Sequence, residues 1–177
     1  MNRTLFKAGL GIVLLAISFL LDKPVHAFIL FIQYPLFLTF FKGVSVLTNF
    51  IAIFIFSTTV FLFLKKYKEW KTFSIGFFLA VVLGYLLKFL VHRERPLGGF
   101  EATTSSSFPS GHATALFAAY PFLQRSFPLF KILFILILIL GSFGRLYLGM
   151  HYLSDIITGA LLGYFISETS LKLVKSS

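Results

Sequence analysis

The sequence KFLVHRERP, residues 88–96, stands where a long apolar run ends and a polar segment begins. Two further stretches, PSGH at 109–112 and GRLYLGMHYLSD at 144–155, also stand at the ends of apolar runs. Lys, Arg, His, Ser and Asp side chains are therefore gathered at the predicted ends of helices. This arrangement suits a phosphate-handling site at a membrane surface.

The composition predicts an integral membrane protein. Of the 177 residues, 58% are hydrophobic and only 12% are charged, and the mean hydropathy is +0.92. In soluble domains about a quarter of the residues are charged. A soluble domain of this size cannot bury so much apolar surface. We expect an all-α membrane protein whose residues 1–177 form a single membrane-embedded domain.

The absence of cysteine excludes thiol chemistry, disulfides and thiolate metal sites. The formal net charge of +10 would suggest nucleic acid as the partner of a soluble protein. In a membrane protein, basic residues collect on the cytoplasmic side, which is a simpler explanation of the charge.

Six spans of about 20 residues fit the apolar runs. We predict them near 5–21, 44–64, 73–91, 110–124, 129–150 and 152–174. Residues 25–40 are interrupted by prolines and are expected to lie at the outer interface. Pro121 should kink the fourth span or end it early, and Gly159 and Gly163 have the small-xxx-small spacing that lets helices approach closely.

The first apolar run, which ends at Asp22-Lys23-Pro24, has an alternative interpretation. A basic start, an apolar stretch and the sequence Val25-His26-Ala27 also resemble a signal peptide with its cleavage site. Large apolar residues continue after Ala27, so we expect this run to be a retained membrane span.

The basic residues indicate the orientation of the bundle. If both termini are cytoplasmic, ten basic residues fall on or toward the cytoplasmic side: Arg3, Lys7, Lys65, Lys66, Lys68, Lys71, Arg125, Lys131, Lys172 and Lys175. Six fall outside: Lys23, Lys42, Lys88, Arg93, Arg95 and Arg145. The positive charge then follows membrane topology, and no nucleic acid partner is expected. All the polar stretches lie together on the outer face.

Lys88 and Arg95 are candidates for phosphate binding. Lys88 lies three residues before the end of its apolar run, where a lysine often extends its ammonium group to the lipid headgroups. Arg93 and Arg95 could likewise be interface anchors. The functional interpretation is that Lys88 and Arg95 bind phosphate oxygens in a shared pocket, where a guanidinium group makes paired hydrogen bonds.

The PSGH stretch opens a predicted helix. Ser110 suits the N-cap position, which explains it without any function. The N-terminus of a helix also presents unpaired N–H groups that attract anions, and Gly111 has no side chain to block a close approach. His112 would then stand in the first turn beside a bound phosphate, although a lone histidine there is more often structural.

His151 and Asp155 are four residues apart, which places their side chains on one face of a helix. Asp155 or Ser154 could simply cap the sixth span, with His151 as an exposed loop residue. The functional interpretation is that Asp155 accepts a hydrogen bond from one ring nitrogen of His151 and leaves the other free to attack. Arg145 could clamp the same phosphate.

In this order and on one face, the motifs closely resemble those of the type 2 phosphatidic acid phosphatase family, membrane phosphatases related to the vanadium haloperoxidases. Its first motif is Lys, six residues and Arg-Pro, and its second is Pro-Ser-Gly-His. Its third is Ser-Arg, five residues, His, three residues and Asp. The matching residues are Lys88, Arg95 and Pro96, then 109–112, then Arg145, His151 and Asp155. Gly144 stands where the family usually has Ser, so this chain lacks the hydroxyl donor that the family has at that position.

The resemblance implies a six-helix bundle and a mechanism. His151 would attack phosphorus to form a phosphohistidine, oriented by Asp155. His112 would protonate the leaving oxygen and then activate water. The phosphate oxygens would be held by five residues: Lys88, Arg95, Ser110, Gly111 and Arg145. These groups would stabilise the charge of the transition state, so no metal or other cofactor is expected.

The resemblance also implies a lipid phosphate or diphosphate as substrate, on the outer leaflet of a bacterial inner membrane with the site facing the periplasm. Family substrates include lipid A 1-phosphate, phosphatidylglycerophosphate and undecaprenyl diphosphate. We favour lipid A 1-phosphate, because Lys23, Lys42 and Arg93 add outer positive charge. Four residues near the site but outside the motifs are expected to be solvated loop residues: His92, Arg93, Glu94 and Glu101.

Two other classes of function compete with this prediction. A non-catalytic phospholipid-binding protein would need only the cations, whereas this chain also has His112, His151 and Asp155. A transporter or channel would usually show an ionisable residue in the middle of a span, and none falls there in the predicted spans. Purified protein that binds phospholipid without releasing phosphate would favour either alternative.

Overall fold

The computed structural model describes residues 3–99 and 105–175. Within these ranges the chain folds into seven α-helices and one short 3-10 turn at Pro128–Phe130. The helices are α1 (Arg3–Ile32), α2 (Pro35–Leu47), α3 (Phe50–Phe63), α4 (Tyr67–Val91), α5 (Gly111–Ser126), α6 (Lys131–Tyr147) and α7 (Leu153–Lys175). Glu101 and the start of the serine and threonine run, Thr103 and Thr104, lie outside the described residues.

The helices confirm an all-helical membrane protein. Three are long and apolar enough to cross a membrane, at Phe6–Ile32, Tyr67–Val91 and Pro128–Tyr147. The helices α2 and α3 qualify as one further span that is bent by 52°. The prediction of six spans with cytoplasmic termini stays a prediction.

The first helix is longer than predicted. We expected the first span to end at Asp22, but α1 continues through Pro24 to Ile32. Asp22 can lie inside this helix because its buried carboxylate, 4% exposed, is paired with Arg93 at 2.7 Å. The expectation that no ionisable residue falls at the middle of a span is therefore wrong at Asp22, which lies near the middle of the candidate span Phe6–Ile32.

Residues 25–40 are helical and form the end of α1 and the first half of α2, and their position at the outer interface stays a prediction. The second predicted span differs from expectation. The predicted span at 44–64 is interrupted, since α2 ends at Leu47 and α3 begins at Phe50. Asn49 explains the break, because its side chain accepts a hydrogen bond from the Ala52 N–H at 2.9 Å and caps α3.

The centre of the bundle is the contact between α5 and α7. Gly163 packs directly on the backbone of α5, where an added Cβ would collide with the Thr114 carbonyl oxygen, and a Cβ at Gly159 would lie 2.5 Å from the Ser110 carbonyl oxygen. The predicted close approach at the two glycines is confirmed. Pro121 is buried within α5, which continues to Ser126, so the proline does not end the helix early.

The helix ends form two groups at opposite ends of the bundle. At one end, Lys66 in the turn from α3 to α4 donates to the Ser126 carbonyl oxygen at 3.3 Å and lies over the Phe127 ring. At the other end, the Ser110 N–H at the start of α5 donates to the Asp155 carbonyl oxygen in the first turn of α7 at 3.0 Å. The end of α4, the start of α5, the end of α6 and the start of α7 therefore meet, as predicted.

Candidate active site

The serine run at 105–107 connects three of the predicted site residues. Arg95 Nε donates to the Ser105 carbonyl oxygen at 3.0 Å, and Lys88 Nζ donates to the Ser106 carbonyl oxygen at 2.7 Å. His151 Nδ1 lies 2.7 Å from the Ser107 carbonyl oxygen. Arg95 also donates to the Met150 carbonyl oxygen at 2.6 Å. The run that the sequence presented as a simple loop is thus a frame that brings residues from α4, the next loop and the α6–α7 turn together.

His151 is oriented by a backbone carbonyl. Its side chain is 3% exposed, which rules out the alternative of an exposed loop residue. Nδ1 lies 2.7 Å from the Ser107 carbonyl oxygen and 3.6 Å from Asp155 Oδ2. The shorter contact makes Ser107 the hydrogen-bond acceptor in place of the predicted Asp155, which acts as a neighbouring negative charge. Because a carbonyl only accepts, Nδ1 carries the hydrogen and Nε2 holds the lone pair.

The surroundings keep this imidazole neutral. Burial lowers the pKa of His151 to about 4, and the positive charges of Arg145 and Arg95 act in the same direction, while Asp155 opposes them. The unperturbed pKa of histidine is about 6.5. At neutral pH the ring is therefore uncharged and Nε2 keeps its lone pair, as a nucleophile must.

Asp155 caps α7, as the alternative interpretation proposed, and it also lies beside His151. The carboxylate is fully buried, and Oδ2 accepts from the Tyr152 N–H at 2.8 Å. This contact is the acidic half of a capping box at the start of α7. Oδ1 accepts from Arg93 Nη1 at 2.8 Å, which fixes the other side of the carboxylate.

Arg93 joins two buried carboxylates and is not the solvated residue that we expected. Besides Asp155, its guanidinium contacts Asp22 Oδ2 at 2.7 Å and Ser154 Oγ at 2.6 Å. It also lies over the Tyr152 ring, 4.2 Å from the centroid. These contacts satisfy the guanidinium, so Arg93 does not supply the outer positive charge that favoured lipid A.

Asp22 is a residue of this network that sequence reasoning missed. Oδ1 accepts from the Ser154 N–H at 2.8 Å and Oδ2 accepts from the Ser154 hydroxyl at 2.6 Å. It therefore caps α7 from α1, 132 residues away in the chain. One signal was present, since Asp22 stands between two apolar stretches in a chain with only six acidic residues.

The start of α5 leaves open space at its N-terminus. Ser110 is buried and its Oγ accepts from the Ala113 N–H at 3.4 Å, which confirms the predicted N-cap. A Cβ added to Gly111 would have no neighbour within 4 Å among the described residues. An anion can therefore approach the first N–H groups of the helix without meeting a side chain at Gly111.

Ser45 of α2 connects the two remaining predicted residues. His112 Nε2 lies 3.1 Å from the Ser45 carbonyl oxygen and 3.3 Å from its Oγ. Arg145, 7% exposed, donates from Nη1 to the same Oγ. Nothing in the sequence marked Ser45, which lies in a different helix from both partners.

The predicted site residues thus all lie at the same end of the bundle. Residues 105–107 link Lys88, Arg95 and His151, and Ser45 links His112 and Arg145. Within residues 3–99 and 105–175, no three or more His, Cys, Asp and Glu side chains are arranged to hold a metal ion. The arrangement offers cations, an open helix N-terminus and a neutral histidine, which together can bind a phosphoryl group and attack it.

Comparison with known proteins identifies the family. Residues 70–176 match the PAP2 superfamily. The chain belongs to the PAP2 superfamily. The matched segment holds all three PAP2-like motifs, from Lys88 to Asp155, whereas Asp22 and Ser45 lie outside it.

Relatives in the PAP2 superfamily include several phosphatases. The chain is 33% identical over 120 residues to an undecaprenyl-diphosphatase of Sulfolobus acidocaldarius, covering 63% of this chain and 58% of that protein. It is 33% identical over 104 residues to a decaprenylphosphoryl-5-phosphoribose phosphatase of Mycobacterium tuberculosis (56% and 58%). It is 35% identical over 97 residues to a lipid A 1-phosphatase of Rhizobium etli (49% and 42%). The matched segments span about half the length of these relatives.

Two solved structures share the fold. LpxE of Aquifex aeolicus superimposes with a TM-score of 0.77 at 26% identity, covering 86% of this chain and 95% of that one. A PAP2-type phosphatidylglycerolphosphate phosphatase of Bacillus subtilis gives a TM-score of 0.82 at 21% identity, covering 99% and 98%. The helical bundle described above is thus the PAP2 membrane phosphatase fold.

Proposed function

We propose that this protein is a metal-independent lipid phosphatase that hydrolyses a lipid phosphomonoester or diphosphate through a phosphohistidine intermediate. The observation that carries the proposal is the state of His151. The ring is buried, held through Nδ1 by a carbonyl, and neutral at physiological pH because its pKa is about 4. A histidine prepared in this way among several cations suits nucleophilic attack on phosphorus.

The first chemical step transfers the phosphoryl group to the protein. Nε2 of His151 forms a bond to phosphorus while the bond from phosphorus to the leaving lipid oxygen breaks, and His112 gives that oxygen a proton. Lys88, Arg95 and Arg145 stabilise the negative charge on the other phosphoryl oxygens. A phosphate oxygen is a stronger acceptor for these cations than the carbonyl and hydroxyl groups that they contact in this structure.

The second step returns the histidine to its starting state. His112 takes a proton from water as the water oxygen attacks phosphorus, and the bond from phosphorus to His151 Nε2 breaks. Inorganic phosphate leaves, and Asp155 beside Nδ1 stabilises the positive charge that the ring carries while it is phosphorylated. The Gly111 N–H at the start of α5 adds a hydrogen bond to the anion throughout, whereas the Ser110 N–H is bonded to the Asp155 carbonyl oxygen.

An apolar groove beside this site supports a lipid substrate. It has a volume of about 460 Å³ and lies between the α2–α3 bend, α5 and α6. Its lining includes Val44 and Thr48, on either side of Ser45 in the chain, and Leu116, Ala119 and Leu123 of α5. A hydrocarbon chain in this groove would lie one helical turn from Ser45 and His112.

The pairing of Arg93 changes the preferred substrate. Because its guanidinium is paired with Asp22 and Asp155, Arg93 no longer adds free charge for a substrate with several phosphates. The relatives from S. acidocaldarius and M. tuberculosis are named for prenyl-linked phosphates. We therefore propose a polyprenyl phosphate or diphosphate as the preferred substrate, ahead of lipid A 1-phosphate and phosphatidylglycerophosphate.

The proposed topology has six spans, with α2 and α3 together forming one bent span and both termini in the cytoplasm. The helices α5, of 16 residues, and α7, of 23 residues, pack against each other in the interior of the bundle. The site then faces the outside of the plasma membrane, which is the periplasm if the membrane is a bacterial inner membrane. The distribution of basic residues supports this orientation.

The test is phosphate release by purified protein in EDTA, with undecaprenyl diphosphate, lipid A and phosphatidylglycerophosphate as substrates. We expect wild type to release phosphate fastest from undecaprenyl diphosphate, and His151→Ala to release none. The matched control is His92→Ala, since His92 lies exposed at the end of α4. No release from any substrate, or equal release by His151→Ala, would replace the proposal by the non-catalytic lipid-binding function.

A further inference from the structure

Gly144 lets Phe41 of α2 pack closely on α6. A Cβ at this position would stand 3.0 Å from Cδ1 of Phe41, a contact that would require the ring to move by a few tenths of an ångström. Phe41 is buried and packs on Tyr147 with ring centroids 4.9 Å apart. The ring has neighbours on several sides, so a larger residue at 144 would push α2 away from α6.

One helical turn after Phe41, the same face of α2 presents Ser45 to the candidate site. Ser45 Oγ accepts a hydrogen bond from Arg145 Nη1. It also lies 3.3 Å from His112 Nε2, whose nearer contact is the Ser45 carbonyl oxygen at 3.1 Å. Because that carbonyl can only accept, Nε2 carries a hydrogen and points it toward Ser45.

The hydroxyl of Ser45 therefore faces two donors. A hydroxyl group has one hydrogen and two lone pairs. When both lone pairs are directed at Arg145 and His112, the hydrogen of Ser45 is left for a third group, which must be an acceptor. A phosphoryl oxygen held between Arg145 and His112 is such an acceptor.

We propose that Ser45 is a phosphate-binding residue, which supplies from α2 the hydroxyl donor that position 144 lacks. The inference rests on the proposed function, which places a phosphate beside Arg145 and His112. Glycine at 144 and serine at 45 are then two parts of one arrangement. The missing side chain at 144 lets α2 lie close to α6, and this position of α2 places the Ser45 hydroxyl beside Arg145 and His112.

The test measures binding of inorganic phosphate to the purified protein by isothermal titration calorimetry, together with lipid phosphate hydrolysis. The loss of a hydrogen bond to a charged group weakens binding by about tenfold or more, so Ser45→Ala should raise the Kd for phosphate by at least that factor. The control is Ser142→Ala in α6, whose hydroxyl is buried and has no hydrogen-bond partner among the described residues. We expect the control to bind phosphate as wild type does.

A second variant tests the close approach of α2 while the hydroxyl remains. Gly144→Ala should also weaken phosphate binding, because its Cβ displaces Phe41 and with it Ser45. Its control is Gly43→Ala in α2, where an added Cβ meets no described atom within 4 Å and binding should be unchanged. Thermal unfolding of each variant shows whether it is folded under the binding conditions.

The binding measurement separates this inference from the proposed function. Wild-type protein that binds phosphate but hydrolyses no lipid would overturn the proposed function and leave the role of Ser45 to be decided by the Kd values. Equal Kd values for wild type and Ser45→Ala would overturn the inference, whatever the hydrolysis rates. So would an equal loss in Ser142→Ala, or wild-type protein that does not bind phosphate.

Discussion

At the scale of single residues, burial determines the chemistry of His151 more than its acidic neighbour does. The sequence placed Asp155 four residues away and suggested a hydrogen bond between the two side chains. The structure gives that bond to the Ser107 carbonyl and uses Asp155 for capping and for charge. Both arrangements leave Nε2 free, so the chemical role predicted for His151 is the same.

The low pKa of His151 predicts an acid limb in the pH profile. Since burial, Arg145 and Arg95 lower this pKa to about 4, we expect kcat/KM to stay level down to about pH 5 and to fall as Nε2 is protonated near pH 4. The measurement is the rate of phosphate release between pH 3.5 and 8. A midpoint near 6.5, the ordinary value for histidine, would contradict the effect of burial.

The pH measurement needs a control for unfolding. In the unfolded chain His151 takes up a proton below about pH 6.5, while in the folded chain it does so only near pH 4, so the free energy of unfolding decreases between these values. Circular dichroism at each pH shows whether the protein is still folded. Return of the rate when a sample is brought back to pH 7 identifies reversible protonation.

The pairing of Arg93 with two carboxylates predicts a large effect on stability. Arg93→Met leaves Asp22 and Asp155 buried without their cation. We expect the free energy of unfolding to drop by about 2 kcal/mol, which is less than a fully buried pair would lose because the Arg93 side chain is 23% exposed. Thermal unfolding in detergent is the measurement, and Arg125→Met, at an exposed position, is the control. Equal unfolding temperatures for the two variants would show that the network contributes little.

At the scale of elements, the sequence predicted helix positions well where a helix has its own start and stop signals. The helix α5 begins after Ser110 and α4 ends within one turn of Lys88, as the capping serine and the loss of apolar residues indicated. The motif residues could be predicted because each stands at such a boundary.

The sequence failed where one element depends on another. Asp22 and Pro24 indicated a helix end by their local properties, but Arg93 and Ser154 compensate the charge of Asp22 within α1. The break between α2 and α3 falls at Asn49, a cap that the apolar run around it concealed. Ser45 carried no local signal, since its importance comes from Arg145 and His112.

The packing of α7 on α5 gives a prediction about Gly163. In Gly163→Ala the new Cβ meets the backbone of Thr114, which cannot shift as a flexible side chain would. We expect a loss of about 1–3 kcal/mol and lower activity, because α7 begins just after His151. Gly43→Ala, in an exposed part of α2, should be neutral or more stable by about 0.5–1 kcal/mol. The free energies from denaturant unfolding compare the two, and equal values would contradict the close contact.

At the scale of the whole molecule, the proposed topology places the two ends of the bundle on opposite sides of the membrane. Leu97 lies at the end with the candidate site and is 87% exposed, while Leu129 lies at the other end and is 94% exposed. The chain contains no cysteine, so Leu97→Cys and Leu129→Cys each introduce a single thiol. A membrane-impermeant maleimide added to intact cells should label position 97 but not 129.

The labelling needs a permeabilised control, in which both cysteines should react. Labelling of position 129 alone in intact cells would reverse the proposed orientation. Labelling of both would mean that the two ends are on the same side, which would contradict the proposed spans.

The central claim, that His151 carries the phosphoryl group, is tested most directly by trapping the intermediate. Purified protein mixed with undecaprenyl diphosphate is stopped in alkali within milliseconds, because a phosphohistidine survives base and is lost in acid, and its peptides are then analysed by mass spectrometry. We expect phosphate on residue 151, lost on acid treatment and absent from His151→Ala. Phosphate on another residue, or full hydrolysis by His151→Ala, would contradict it.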